Sequence, residues 1–253
     1  MSAMLEVAGL SKTFGGVKAV QDVSFSVAKG SIHSVIGPNG AGKTTLFNLI
    51  TGVYTPSAGS IRLDGEEIGG MRPDVLATRG MNRTFQNLQI CFNMSALENV
   101  LVGRHLHLDR SFFKAMFRLP AITRGDAAAR EHAAGLMEFV GCGKHVRAQA
   151  NSLSYGVLKR LEIARALAAE PRILLLDEPA AGLNPKETVE IDELIQKIAA
   201  TGITVVLVEH DMKLVMHISD HILVLDYGRK LAEGTPAEVR ANPDVIAAYL
   251  GAA

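Results

Sequence analysis

Apolar residues fall into two different rhythms along the chain. Leu5 to Leu10 and Val20 to Val27 read as β segments, with Gly15-Gly16 and Lys29-Gly30 supplying turns, and Ser60 to Leu63 followed by Asp64-Gly65 reads as a further strand and turn. Ser31 to Ile36, Arg172-Ile-Leu-Leu-Leu-Asp177 and Thr204-Val-Val-Leu-Val-Glu209 are short, nearly continuous apolar runs. Such runs suit strands buried on both faces of a sheet. Helical patterns alternate with them, so the pattern predicts an α/β chain. From Asn99 to Gly141 the β-rich character disappears and Leu, Phe, Met and Ala recur at mixed helical spacing. This predicts an inserted helical subdomain at about 99–165. The C-terminal tail, about 235–253, opens with Thr235-Pro236-Ala-Glu238, an N-cap, a first-turn proline and a capping-box glutamate, and Asn242-Pro243 begins a second short helix. No internal repeat interrupts the chain, so residues 1–253 are predicted to form a single domain.

Composition narrows this little. Lys plus Arg and Asp plus Glu both number 26, which leaves no global field to recruit nucleic acid or acidic lipid. No apolar run reaches the roughly 18 to 20 residues that a membrane span requires. The start, Met1-Ser-Ala-Met-Leu-Glu6, carries no export signal, and Cys91 and Cys142 match no metal or redox spacing. A soluble or peripheral protein in a reducing cytosol is expected. His105-x-His107 and His217-x-x-x-His221 have no convincing further ligands nearby, and are expected to be packing or solvated histidines.

The chemistry begins at Gly37-Pro-Asn-Gly-Ala-Gly-Lys-Thr-Thr45, which fits the phosphate-loop pattern and directly follows an apolar strand. Its glycines let backbone N–H groups turn toward phosphates, Lys43 adds positive charge at the β and γ positions, and Thr44 offers a hydroxyl to Mg²⁺. A helix starting near Gly42 points its positive end at the same anion. Asp177, at the end of a hydrophobic strand, is the candidate for holding Mg²⁺, and Glu178 for polarising the attacking water. His210 ends the next buried strand, where open α/β sheets place ligand contacts, and is the candidate γ-phosphate sensor. Gln86 offers a polar amide after an apolar stretch. Ser154 opens a long helix that would make a second anion site. A single phosphate loop leaves that site without a phosphate of its own, and a partner copy would supply one.

This ordered set resembles the ATP-binding subunits of ABC transporters across essentially the whole chain. The resemblance implies a P-loop cassette with a RecA-like core, an N-terminal antiparallel β subdomain and an inserted helical subdomain. It implies an ATPase using ATP and Mg²⁺, with Gly37, Asn39, Gly40, Ala41, Gly42, Lys43, Thr44 and Thr45 as the Walker A contacts to nucleotide. Gln86 would be the Q-loop glutamine and a further metal ligand, Ser154 to Val157 the signature segment, with Ser154 and Gly156 gripping the partner's nucleotide. Asp177 and Glu178 would be the Walker B pair, His210 the switch histidine, and Phe14 the ring stacked on adenine. Glu178-Pro-Ala-Ala-Gly-Leu-Asn-Pro-Lys-Glu187, Glu209-His-Asp-Met-Lys-Leu-Val-Met216 and the tail from Gly234 to Val245 resemble the branched-chain amino-acid uptake branch, and the insert from His105 to Arg130 resembles the longer of its two paired ATPases. The implied partners are a second cassette subunit, identical or related, two membrane permease subunits and an extracytoplasmic substrate-binding protein, with no nucleic acid. The implied location is peripheral, on the cytoplasmic face of the cell membrane.

The chain departs from the family pattern in two segments. Tyr155 and Val157 replace the usual glycine and glutamine of the signature, and Asn184 stands where many cassettes have aspartate; both bear on hydrolysis rate more than on binding. The permease is expected to dock near Asn87 to Phe92 and the cluster Phe112, Phe113, Met116 and Phe117, residues equally suited to packing inside the helical subdomain. The alternatives are the ATPase of another ABC system, such as a lipid exporter, a soluble ABC-type ATPase, or a non-hydrolysing scaffold. Soluble twin-cassette ATPases need two cassettes or a long coiled-coil insertion, and retention of Glu178 and His210 argues against a scaffold.

Overall fold

The computed structural model describes residues 2–107 and 120–250. Two compact units make up the chain, one from Met1–Arg83 with Arg172–Ala253 and one from Thr84–Pro171.

In the first unit, long strands β1 (Ala3–Phe14) and β2 (Val17–Ala28) form an antiparallel hairpin, joined on the other edge of β1 by β4 (Ala58–Leu63) and the short β5 (Glu66–Glu67). A second sheet runs in the order β10 (Arg229–Gly234), β9 (His221–Asp226), β3 (Ile32–Ile36), β8 (Thr204–Val208), β7 (Ile173–Asp177) and β6 (Met81–Arg83). All its neighbours pair in parallel except the β9–β10 hairpin. Strands β3, β7 and β8 are buried at every position, as runs covered on both faces must be.

Helix α1 (Lys43–Ile50) joins the two sheets into one core. Its residues Leu46, Phe47, Leu49 and Ile50 are fully buried and share a cluster with Leu5, Leu10 and Val23 of the antiparallel sheet and with Val35, Val206 and Leu223 of the parallel one. Burying each such side chain is worth about 1.5–3 kcal/mol. That anchorage fixes a helix whose own propensity over eight residues is too weak to hold it. The first unit ends with α6 (Pro185–Ala200), α7 (Met212–Ile218), and two tail helices, α8 (Pro236–Ala241) and α9 (Pro243–Leu250). Thr235 and Glu238 form the complete capping box read from sequence.

The second unit is helical, built on α3 (Ala96–Gly103), α4 (Pro120–Phe139) and α5 (Tyr155–Leu167), with the short α2 (Pro73–Thr78) belonging to the first unit. Ser95 and Glu98 cap α3 with a second capping box. Asn99, fully buried, accepts from the Cys91 N–H at 2.8 Å and donates to the Cys91 carbonyl at 3.0 Å. Gln89 is held similarly by α5: its N–H donates to Glu162 at 3.3 Å and its carbonyl accepts from Arg165. Burial raises the Glu162 carboxyl, with the Gln89 N–H opposing. The cluster Phe112, Phe113, Met116 and Phe117 lies outside the described residues, whereas Phe92, in the other proposed docking segment, is exposed. Among the described residues no helix is long and apolar enough to cross a membrane.

Candidate functional site

Parallel strands end together, so residues just past their carboxyl ends meet at one edge of the sheet. β3 delivers Gly37 to Thr45, β7 delivers Asp177 and Glu178, and β8 delivers Glu209 and His210. These residues, 173 positions apart in sequence from Gly37 to His210, therefore form one constellation within the first unit.

The phosphate loop passes into α1 through Gly42, which occupies the N-cap in the left-handed region, with φ 97°. No side chain caps this end and its first turn holds no acidic residue, so its N–H groups suit an external anion. The loop rests on the β9–β10 hairpin. The Gly228 N–H donates to the Ala41 carbonyl at 3.0 Å, and the Gln21 N–H donates to the Gly228 carbonyl at 2.7 Å. A Cβ on either Gly42 or Gly228 would stand 2.6 Å from the Ala19 carbonyl oxygen, closer than real Cβ atoms come. Glycine at 228 is thus required by close approach as well as by its φ of 76°. The hairpin's part in supporting the loop is not legible in the motif.

Lys43 folds over its own loop, donating to the Gly37 carbonyl at 2.7 Å and the Pro38 carbonyl at 3.0 Å. Burial lowers its ammonium from the ordinary lysine value, and the negative charges of Glu178 and Asp177 oppose the shift. Thr44 is exposed beside it. An all-oxygen set of the Thr44 hydroxyl and the Asp177 carboxylate is the donor chemistry that a hard divalent cation such as Mg²⁺ takes.

Asp177 is buried and held by a residue to which the sequence pattern assigned nothing. Arg83, at the end of β6, donates from Nη2 to Asp177 Oδ2 at 3.1 Å and from Nη1 to Asn48 Oδ1 and Thr51 Oγ1, both at 2.8 Å. The two charged side chains are only 9% and 5% exposed. Burial lowers the guanidinium's proton affinity and Asp177 pushes it back up.

Glu178 follows in a left-handed backbone conformation, φ 49°, which costs a non-glycine residue about 1–3 kcal/mol. Surrounding bonds hold it there: its N–H donates to the Val208 carbonyl at 2.9 Å, and the N–H of Ala180, two residues on, donates to Glu209 Oε1 at 2.9 Å. His210 is largely exposed, and its backbone N–H donates to Glu209 Oε2 at 2.8 Å. Asn184, read as a departure from the usual aspartate, caps α6: its side chain accepts from Lys186 and Glu187, and Glu187 returns a bond to the Asn184 N–H.

Phe14 ends β1, 40% exposed, with its ring 5.2 Å from Tyr54 at 75° and Lys12 Nζ 5.0 Å from its centroid. Gln86, Ser154 and Gly156 belong to the second unit. Gln86 is exposed, three residues beyond Arg83. Ser154 does stand at the N-cap of α5 in extended backbone, but its hydroxyl makes no capping bond, which leaves that helix end open in the same way as α1. Gly156 and Val157 are buried, so valine packs at the third helical position where glutamine would reach back toward the cap.

The ABC transporter family model matches residues 20–181, and a model described as branched-chain amino acid ATP-binding cassette transporter matches residues 229–253. The high-affinity branched-chain amino acid transport ATP-binding protein BraF of Pseudomonas aeruginosa is 52% identical over 99% of this chain and 98% of that protein. The corresponding LivG protein of Escherichia coli K12 is 47% identical over the same shares. A crystal structure of an ATP-binding cassette of an ABC transporter in its ADP conformation superimposes with a TM-score of 0.87 at 33% identity, covering 99% of this chain and all of that one. An ATP-binding cassette solved as a dimer in a post-hydrolysis state with ADP and phosphate gives a TM-score of 0.76 at 26% identity, over 92% of this chain and 99% of that one. With a phosphate loop, a carboxylate pair and a histidine gathered at one sheet edge, and with near-full-length identity to these cassettes, the chain belongs to the ABC transporter family as one of its ATP-hydrolysing subunits.

Proposed function

We infer that the chain powers import of branched-chain amino acids from the cytoplasmic face of the cell membrane, paired with a second cassette and seated beneath two permease subunits that receive substrate from an extracytoplasmic binding protein. The observation carrying this reading is the gathering of Lys43, Asp177, Glu178 and His210 at one sheet edge, in a chain about half identical over its length to ATP-binding proteins named for branched-chain amino-acid transport.

In this reading the loop from Gly37 to Thr45 takes the phosphates of ATP on its backbone, and Phe14 takes the adenine. The Lys43 ammonium exchanges the Gly37 and Pro38 carbonyls for phosphate oxygens. Thr44 and Asp177 would hold Mg²⁺, which when bound neutralises charge on the β- and γ-phosphate oxygens. Glu178 accepts a proton from the attacking water, and His210 hydrogen-bonds the γ-phosphate. Ser154 and Gly156 present the open end of α5 to nucleotide on the partner cassette. Contacts to the γ-phosphate favour the closed dimer, and their loss after hydrolysis lets it reopen.

Two measurements test the proposal together. Glu178→Gln is expected to bind ATP normally while losing most turnover, and unchanged turnover would remove Glu178 from the base role. Tagged chain extracted from its native membranes in mild detergent is expected to bring down two polytopic proteins and a second cassette, and cells lacking it are expected to lose uptake of labelled leucine. Ribosomal, DNA-bound or solely soluble partners would overturn the importer.

A further inference from the structure

Glu209 sits between the Glu178 turn and the His210 turn, and neither the motif pattern nor the comparisons assign it a role. Its side chain is completely buried. An ionised carboxylate only accepts hydrogen bonds, and a buried one must find donors for both oxygens. Glu209 divides them between two loops. Oε1 accepts from Ala180 N–H at 2.9 Å, inside the turn that holds Glu178 at φ 49°. Oε2 accepts from His210 N–H at 2.8 Å and from Asp211 N–H at 3.3 Å, and lies 3.6 Å from the His210 ring at Nδ1.

Strained backbone persists only where its surroundings over-determine it. Two bonds from β8 and its extension do this for the Glu178 turn: the Val208 carbonyl takes Glu178 N–H at 2.9 Å, and Glu209 takes the N–H two residues later. The same carboxylate fixes the backbone of the residue carrying the sensor imidazole. We propose that Glu209 is a positioning residue for ATP hydrolysis, a buried brace that fixes Glu178 and His210 in register with one another. The inference rests on the roles proposed above for those two residues. The phosphate loop makes no use of the brace, so its loss acts on the chemical step and spares nucleotide affinity.

Glu209→Gln tests this, because the amide keeps the shape but has one accepting oxygen where two loops need one each; its NH₂ would face a backbone N–H. Expected is a fall in kcat on the order of tenfold to a hundredfold, the scale on which small misplacements of reacting groups are felt. The KM for ATP and the Kd of a fluorescent ATP analogue are expected to stay within about twofold. Glu209→Asp, which keeps the charge but is too short to span both loops, is expected to lose kcat in the same way. A folded Glu209→Gln with wild-type kcat overturns the proposal, as does a parallel loss of affinity and rate, which would mark a merely structural role. Hydrogen exchange on the unmodified protein gives a readout independent of how the variants fold. The amides of Ala180 and His210 are expected to be protected to a similar degree, and fast exchange at both would sink the brace. If Glu178→Gln and His210→Ala leave turnover intact, the functional assignment fails; if they abolish it while Glu209→Gln does not, only the brace fails.

Discussion

Replacing Arg83 with methionine gives the sharpest test of the packing argument. Methionine fills much of the same volume but removes the charge and the hydrogen bonds to Asp177, Asn48 and Thr51, so Asp177 stays buried without that guanidinium. Deleting one partner of a buried ion pair costs about 3–5 kcal/mol, because the remaining charge is left in a low-dielectric site. Thr51 is partly protected, since its hydroxyl still donates to the Phe47 carbonyl at 2.7 Å. For a chain of this size each kcal/mol moves Tm by about 2–4 °C, so the expected fall is roughly 6–20 °C. Scanning calorimetry at neutral pH without nucleotide measures it. The double variant Arg83→Met with Asp177→Asn removes the stranded charge and is expected to recover at least half of the loss. A shift below about 2 °C in the single variant, or a double variant no more stable than the single, would refute the reasoning.

Two further predictions follow from burial and close approach. Burial pulls the His33 imidazole down to about 4, with His221, stacked 6.2 Å away, adding to the shift. The unfolded chain therefore takes up a proton first as pH falls: the contribution, ~3 kcal/mol, is complete above about pH 6.5 and is lost progressively toward pH 4. Denaturant titrations of His33→Gln are expected to show a flatter dependence of stability on pH across that window, and an unaltered slope would remove His33 as its source. Gly228→Ala drives a Cβ to 2.6 Å from the Ala19 carbonyl beneath the phosphate loop. At least a tenfold loss in affinity for a fluorescent ATP analogue is expected, and unchanged affinity would show that the hairpin does not support the loop.

Much of the site was legible because its chemistry is written in contiguous residues. The glycine spacing from Gly37 to Gly42, the lysine and threonine that follow, and the carboxylates ending a five-residue apolar strand are local patterns, and local patterns fix local backbone. The same holds for the Thr235 cap, where serine or threonine with glutamate three residues later needs nothing distant. Asn184 shows a partial limit: comparison with the family pattern marked it as a departure, while the capping box that explains it locally, Asn184 with Glu187, went unread.

What only the tertiary structure decided are the pairs that strand order creates. Arg83 meets Asp177 across 94 positions because β6 lies beside β7, and Glu209 meets Ala180 across 29 because β8 lies on the other side of β7. The hairpin glycine at 228 reaches Ala19 because β10 returns along the far edge beside β9. A sequence pattern states which residues can bond phosphate, metal or water. Which buried group neutralises Asp177, and which carboxylate holds Glu178 in a strained turn, depends on the sheet order that long-range packing selects, and no local spacing encodes it.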